Sequence, residues 1–535
     1  MKIQKYVYLA LVVVVLAYLA VLCIFPVRSN DLFLYLEIGR RYFAPEGLPK
    51  TDIFLFTGAD AQFEYHHELG SMIFFYILYH LGGFNALIFA KAAFFLLMGS
   101  LPLWVARKLD DRRFSYVLPV FMLFAIYAAS GRLIERGSMF SDLFSTLVLS
   151  LIIVIRAKVT GSDFYKMCIP VVFLVWVNFH AGFVVGFMLL LAWFVAEAFQ
   201  YGVCDSSGKA CQKDEMYSVL KTIGASIVLG LINPRGVYAY LLPLRIMVNE
   251  MLRPSVKYTY ELLPPWANEF RNTPEIQVFL GVMLACFLLL AVAIGRIIKK
   301  RKYRDLPVFE IACFCVFAVL GLSMVRFVNT VSFGLAVLVA ALLVNNNLLM
   351  NDEMIWTPWS RMLFPTAALA GMVLFSVTDV VKGVGSSRGK RLIGLGLDQS
   401  NKPERACDFI ENNGINVNIF NHDEFGGYII WRWQGKTKVF IHGFVNDQEY
   451  FVKNYLGIDQ PGKDFNRIVR TYNIGAFLVK TLFLSGANGP DYYRKLLSSP
   501  DWHLVYMDPV AMLFVKDIPE NREVIKKYSS RVSKH

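Results

Sequence analysis

The sequence predicts a polytopic α-helical membrane protein that ends in a soluble α/β domain. Three observations lead there. Of 535 residues, 56% are hydrophobic, 15% aromatic and only 18% charged, too few charges to cover a soluble chain of this length. Apolar runs long enough to cross about 30 Å of hydrocarbon, roughly 20 residues each, recur through positions 1–378. Beyond them the composition turns polar and the periodicity alternates between helix and strand.

The run near 6–25 is too long for a signal-peptide core and lacks a small-residue cleavage site, so it reads as a retained span. "SNDLFLYLEIGRR" (29–41) follows. It predicts a juxtamembrane helix, apolar along one side, charged at Glu37, Arg40 and Arg41, and opened by Asp31. The run 69–81 is too short to span comfortably and stops at Gly82-Gly83, which predicts an interfacial or re-entrant helix. Further spans are expected near 84–105, 115–130, 138–155, 167–180, 183–199, 217–232, 276–295, 307–325, 329–345 and 361–378. That makes about eleven in all.

Basic residues test this count. "MKIQK" precedes the first span, "RKLDDRR" (107–113) follows the second, Arg156, Lys158 and Lys166 lie between the fourth and fifth, and "GRIIKKRKYR" (295–304) follows the eighth. All fall on one side, so the N-terminus is expected in the cytoplasm and the C-terminal domain outside. The formal charge of +13 is then mostly topology and implies no nucleic-acid partner.

Positions 1–378 are thus read as the transmembrane domain, 379–400 as a Gly/Ser/Lys linker, and 401–535 as the extracytoplasmic domain. In the last, "PERACDFIENNG" (403–414) predicts a helix closed by Gly414. "VNIF", "KVFIHG" (438–443) and "IGAFLVKT" (474–481) predict strands. "GGYIIWRW" fits helix or strand, "DYYRKLLSS" (491–499) a helix, and "WHLVYMD" with "AMLFVKD" a hairpin. Five of the eight cysteines lie in spans, and Cys407 stands alone in the outer domain, so no disulfide framework is expected there.

The polar residues are the informative part. Asp31, Asp52, "EYHHELG" (64–70), Arg132, Glu135, Arg136, "NFHAG" (178–182), "NPRG" (233–236), Glu261, Arg326 and Asn329 all fall at outer span ends. The cytoplasmic loops carry cations but no such mixture. Acids, imidazoles and guanidiniums converging on one membrane face suggest a site there. Each residue also has a plainer role: Asp31 as a helix cap, His66 and His67 as interfacial polar groups, Arg132 and Arg136 as headgroup anchors, and "NPRG" as a helix terminator. "NHDEFGGYIIW" (421–431) reads either as an aromatic acceptor-binding surface or as a segment packed on the membrane domain, its Gly pair permitting close backbone approach.

These residues resemble the GT-C glycosyltransferases of prokaryotic membranes. Asp31 with Leu36 and Gly39, "LPKTDIFLFT" (48–57), "HHEL" (66–69), "RGSMFS" (136–141), "WVNFHAGFVVG" (176–186), "INPRGVYAYLLPL" (232–244) and "IFNHDEFGGYIIWRW" (419–433) match that set in order, over nearly the whole chain. The sequence departs from the pattern at Leu34, Tyr35, Gly137, His442 and Phe444. The resemblance implies an enzyme of the cytoplasmic (inner) membrane. Such an enzyme moves a sugar from a polyprenyl-phosphate-linked donor to an envelope glycan, lipid or protein on the outer face. It implies Asp31 as general base. Arg132, Arg136, Arg235 and Arg326 would bind the departing phosphate, and His67, Glu68, His180 and Asp52 would position substrate. No cofactor is required. A divalent cation on Glu68, His67 and His180 is an alternative whose spacing is not diagnostic. The rival functions are a non-catalytic GT-C-like protein assisting envelope polysaccharide assembly and a lipid-linked-sugar transporter. A transporter tends to place ionisable residues at the bilayer midplane and to show paired halves; here the polar groups gather at one face and no halves correspond, which counts against it.

Overall fold

In a computed structural model the described residues are 2–58, 68–204, 209–241, 243, 260–301, 303–348, 360–383, 392–444, 451–459, 464–481 and 491–532. The membrane part comprises α1 (Lys2–Cys23), α2 (Asp31–Phe43), α3 (Leu69–Leu109), α4 (Val117–Ala129), α5 (Ser138–Arg156), α6 (Ser162–Phe179), α7 (Phe183–Val203), α8 (Lys209–Gly230), α9 (Pro274–Lys299), α10 (Val308–Ser323), α11 (Val328–Asn345) and α12 (Ser360–Lys382). Among the described residues, nine helices are long and apolar enough to cross a membrane. Two predicted spans fall outside that set for physical reasons. The α4 run, with the 3₁₀ turn that follows it, is short, and α8 carries four charged residues in its first half and a fifth at Lys221.

The backbone at Gly82 and Gly83 is not helical, and Gly83 has φ +62°, a conformation that favours glycine. The 69–81 segment is therefore set off from the rest of α3 by a break where the sequence suggested one. Every residue of α11 from Val328 to Val344 is buried. A helix apolar all round belongs at the centre of a bundle, and α11 packs against α3, α4, α5, α9 and α10. Juxtamembrane α2 lies across the start of α3. The approach is close at Gly39, where an added Cβ would stand 2.5 Å from the carbonyl oxygen of Met72.

The C-terminal part contains α13 (Glu404–Asn412), α14 (Asp423–Arg432), α15 (Asp464–Thr471), α16 (Asp491–Ser498) and α17 (Arg522–Val532) around one sheet. Strands β1 (Asn418–Asn421), β2 (Ile474–Lys480), β3 (Trp502–Met507) and β4 (Ala511–Lys516) lie in the order β1-β2-β4-β3. β1 and β2 are parallel; β2–β4 and β3–β4 are antiparallel. Helix α13 ends at Gly414 with φ +59°, and the hairpin is β3–β4, both as expected. One side of the sheet is covered by Phe420, Phe440, Phe477, Tyr492 and Trp502.

The stretch 438–443 is not a strand of this sheet. Val439 instead pairs with Leu55 in an isolated parallel bridge. Its N–H donates to the Phe54 carbonyl at 2.8 Å, and the Phe56 N–H donates to the Val439 carbonyl at 3.2 Å. The β-branched, aromatic composition predicted an extended backbone correctly, but its partner is the connection between α2 and α3. "GGYIIWR" resolves as helix α14, capped by His422, which accepts from the Glu424 N–H.

Candidate functional site

The C-terminal domain is fastened to the membrane part close to Asp31. Val27 and Leu397 form a parallel bridge, and Arg28 pairs with Asp398 at 2.5 Å. Helix α14 lies on α2, with Phe33 against Tyr428 at 5.0 Å and against Trp431 at 5.1 Å between ring centroids. A Cβ at Gly427 would stand 2.9 Å from the Asn30 carbonyl. "NHDEFGGYIIW" is thus a packing element: Gly427 serves that contact, while Gly426 lies against the backbone of Ile441 and His442. Asp52 is buried against the same junction, where its carboxylate meets His442 Nε2 at 2.8 Å and accepts the Phe54 N–H at 3.1 Å. Its observed partners are therefore structural.

Asp31 opens α2, and its Oδ2 lies 2.6 Å from Arg136 Nη2. Arg136 stands just before α5 and also holds Glu261 Oε2 at 2.7 Å. Glu261 Oε2 in turn receives Arg132 Nη2 at 3.3 Å. Two guanidiniums and two carboxylates from three separate segments therefore form one cluster. Asp31 and Arg136 remain 23% and 25% exposed, so solvent or a substrate reaches them. Burial opposes the Arg136 charge, yet Asp31 and Glu261 outweigh it and hold its pKa well above the usual arginine value. Gly443 of the outer domain closes over the aspartate, since a Cβ there would lie 2.9 Å from Asp31 Oδ1.

A second cluster adjoins the first through Tyr35, one turn along α2 from Asp31. Ser71 Oγ donates to the Phe179 carbonyl at 2.5 Å, satisfying an orphan acceptor at the end of α6. That contact sets Glu68 beside His180, with Oε1 3.2 Å from Nε2. The Gly182 N–H donates to His180 Nδ1 at 3.0 Å, so Nδ1 is the acceptor nitrogen and Nε2 carries the proton. Ser141 Oγ, 2.7 Å from Nδ1, then donates to it and accepts the Trp176 N–H at 2.7 Å. The Tyr35 hydroxyl donates to the other Glu68 oxygen. Burial, helped by Glu68 and Asp31, raises the Tyr35 pKa well above the ordinary phenol and keeps that proton in place. The Gly137 N–H, 3.4 Å from the Tyr35 oxygen, completes the chain.

Three departures from the GT-C pattern meet here. A Cβ at position 137 would be 3.1 Å from both the Tyr35 hydroxyl and the Glu68 carboxyl carbon, and a proline there would lack the N–H donor. Phe444 packs on the Tyr35 ring at 5.5 Å. Tyr35, Gly137 and Phe444 are one interlocking set.

The other candidate residues are placed differently. Arg326 sits in the turn Val325–Phe327. The Val325 N–H donates to the Leu263 carbonyl at 2.9 Å, which keeps Arg326 beside the segment that carries Glu261. Arg235 follows Asn233, whose side chain bonds Asn178 at 3.1 Å, and no ion pair joins Arg235 to either cluster among the described residues. His67 lies outside the described residues, and so therefore does one member of the metal set with Glu68 and His180.

Two groups were missed in sequence, Asp142 and Lys91. Buried Asp142 of α5 accepts from Thr330 at 2.5 Å and from Asn329 at 3.4 Å. Asn329 also donates to the Arg132 carbonyl at 2.9 Å, which fixes that arginine's backbone. Lys91 of α3 and Glu135 form a fully buried pair at 2.6 Å, with the ammonium 3.4 Å from the Phe25 ring centroid. A charge inside an apolar run was the available signal for Asp142 and Lys91.

No protein-family model matches the chain, and no curated protein matches it in sequence. Solved structures do match. The apo oligosaccharyltransferase of Archaeoglobus fulgidus is 12% identical, with a TM-score of 0.56 over 96% of this chain and 75% of that one. The same protein tethered by a disulfide to an acceptor peptide containing the NVT sequon gives 12%, 0.55, 96% and 74%. Apo ArnT from Cupriavidus metallidurans is 13% identical, with a TM-score of 0.51 over 96% of this chain and 98% of that one. At these identities the likeness concerns architecture: the chain has the fold of the GT-C membrane glycosyltransferases.

Proposed function

We propose that the protein is a glycosyltransferase. It moves a sugar from a polyprenyl-phosphate-linked donor to an envelope acceptor on the outer face of a prokaryotic inner membrane, with Asp31 as general base. The observation that carries this is the Asp31–Arg136–Glu261–Arg132 cluster, in which a proton acceptor stands beside two guanidiniums that share a single carboxylate. An acceptor hydroxyl gives its proton to Asp31 while its oxygen attacks the anomeric carbon. The bond from that carbon to the phosphate oxygen breaks, and the lipid phosphate departs with both electrons, inverting the centre. Arg136 holds the Asp31 carboxylate in place before the reaction. Arg132 and Arg136, now gathered by Glu261, would stabilise the leaving phosphate in the place that carboxylate takes. Glu68, its proton donors fixed by His180 and Tyr35, would orient a sugar or acceptor hydroxyl.

The test is transfer by purified protein from radiolabelled polyprenyl-phosphate sugars to envelope acceptors, comparing wild type with Asp31→Asn. General-base catalysis contributes about 10²–10⁴-fold, so the variant is expected to lose at least that order of rate while folding normally. Unchanged transfer by Asp31→Asn would exclude the base assignment. Wild-type protein that supports polysaccharide assembly in cells but transfers no sugar from any donor would favour the non-catalytic alternative.

A further inference from the structure

The bundle carries a second charged cavity at its other end. It holds about 350 Å³ and is lined by Arg156, Arg296, Lys300, Arg304, Asp305 and Glu310, among others. These residues come from the ends of α5 and α9, the 3₁₀ turn Tyr303–Asp305, and the start of α10. Since α5 runs from the candidate site at Arg136 to Arg156, the cleft opens on the opposite membrane face, where the basic loops lie.

Its charge balance is uneven, with four cations against two carboxylates. Arg156 is the telling member. Its Nε reaches Glu197 only at 3.6 Å, and its guanidinium packs 5.0 Å from the Phe309 ring centroid. Its Nη1 is buried without a hydrogen-bond partner among the described residues. A buried guanidinium nitrogen left unsatisfied is costly, and calls for an acceptor from outside the chain. Lys300 brings an exposed ammonium with no carboxylate in ion-pair range among the described residues. Arg304 is held in place rather than adrift. Its Nε donates to the Val203 carbonyl at 3.1 Å, and Gln200 donates to its own carbonyl at 2.8 Å.

We propose that this cleft binds the phosphate of an anionic ligand, with an anionic phospholipid headgroup as its source. Basic pockets between helices at the cytoplasmic surface suit such headgroups. Ile298 and Tyr303 beside the cleft are 49% and 55% exposed, giving acyl chains an apolar and aromatic flank. The proposal is independent of the sugar-transfer reading.

The full chain, purified in detergent, would be titrated with phosphatidylglycerol, cardiolipin and phosphatidylethanolamine by native mass spectrometry, and separately with inorganic pyrophosphate by thermal shift. The variants are Lys300→Gln and Arg296→Gln/Lys300→Gln, with Lys299→Gln as a control on the same face but outside the cleft. A lost charge-assisted hydrogen bond is worth roughly a tenfold change in affinity. Wild type and Lys299→Gln are expected to bind the anionic lipids in preference to phosphatidylethanolamine, with Lys300→Gln about tenfold weaker and the double variant weaker still. A pyrophosphate shift that the variants lose, without any lipid preference, would support the phosphate site and assign it to a soluble anion. Binding unchanged by the variants, or no preference for phosphate-bearing anions in either arm, would overturn the proposal.

Discussion

Replacing Arg136 by Gln removes the group that joins the proton acceptor to the rest of the cluster. Arg136 makes two charge-assisted contacts, 2.6 Å to Asp31 and 2.7 Å to Glu261. Hydrogen bonds to charged groups contribute about 1.5–3 kcal/mol each. The three side chains are 16–25% exposed, so water rehydrates part of what is lost, and the low end applies, about 3 kcal/mol in total. The catalytic loss is expected to be about 10²–10³-fold, the usual effect of deleting one donor aimed at developing negative charge. Sugar transfer and thermal unfolding of Arg136→Gln, Asp31→Asn and the double variant would be measured together. If both residues serve one transition state, the double variant is little slower than the worse single one. Strictly multiplicative rate losses, or Arg136→Gln turning over within about threefold of wild type, would refute the assignment.

Gly39→Val is expected to destabilise the protein by about 1–3 kcal/mol. Its Cβ would stand 2.5 Å from both the Met72 carbonyl oxygen and the Tyr76 Cβ, and lifting α2 off α3 would displace Asp31, so the melting temperature and transfer should fall together. A variant that melts like wild type would show that α2 tolerates a wider spacing. Lys402, beneath α14, donates to the Arg28 carbonyl at 3.0 Å and to Asn30. Burial pushes its pKa down to about 7, against the opposing pull of Glu424 and Asp398. The unfolded chain therefore binds a proton that the folded one has released between about pH 7 and the ordinary lysine value. Stability from this residue should rise with pH across that window and level off below it. Lys402→Met should flatten that slope in melting curves taken from pH 6 to 10; an unchanged slope would place the titration elsewhere.

Much of the architecture was legible because hydropathy and helical period are local properties. Each predicted span falls on a helix, and the break at Gly82-Gly83 was readable from glycine alone. Outer-domain helices and the β3–β4 hairpin followed from patterns within a few residues. The stretch 438–443 was misplaced because an extended segment does not name its partner, and here the partner is nearly 400 positions away at Leu55. The departures at Tyr35, Gly137 and Phe444 looked independent in sequence. Their compensation appears only as a hydrogen bond and a ring contact. Asp52 shows the reverse case, a carboxylate suggestive of substrate binding whose structural partner is His442.

By itself, the sequence determined that the chain lies in a membrane, which span ends carry the reactive residue types, and that those ends share one face. Each of these depends on residues close together in the chain, through hydrophobic transfer and the cost of burying charge. The tertiary structure alone decided which of those residues touch. Asp31 with Arg136, Arg136 with Glu261, and Glu68 with His180 are separated by about a hundred residues or more, and only the packing of α2, α3, α5, α6 and the turn Tyr260–Leu262 brings their atoms within hydrogen-bond range. A carboxylate's environment, and hence its chemistry, is set by neighbours a few ångströms away in space, which sequence order does not specify.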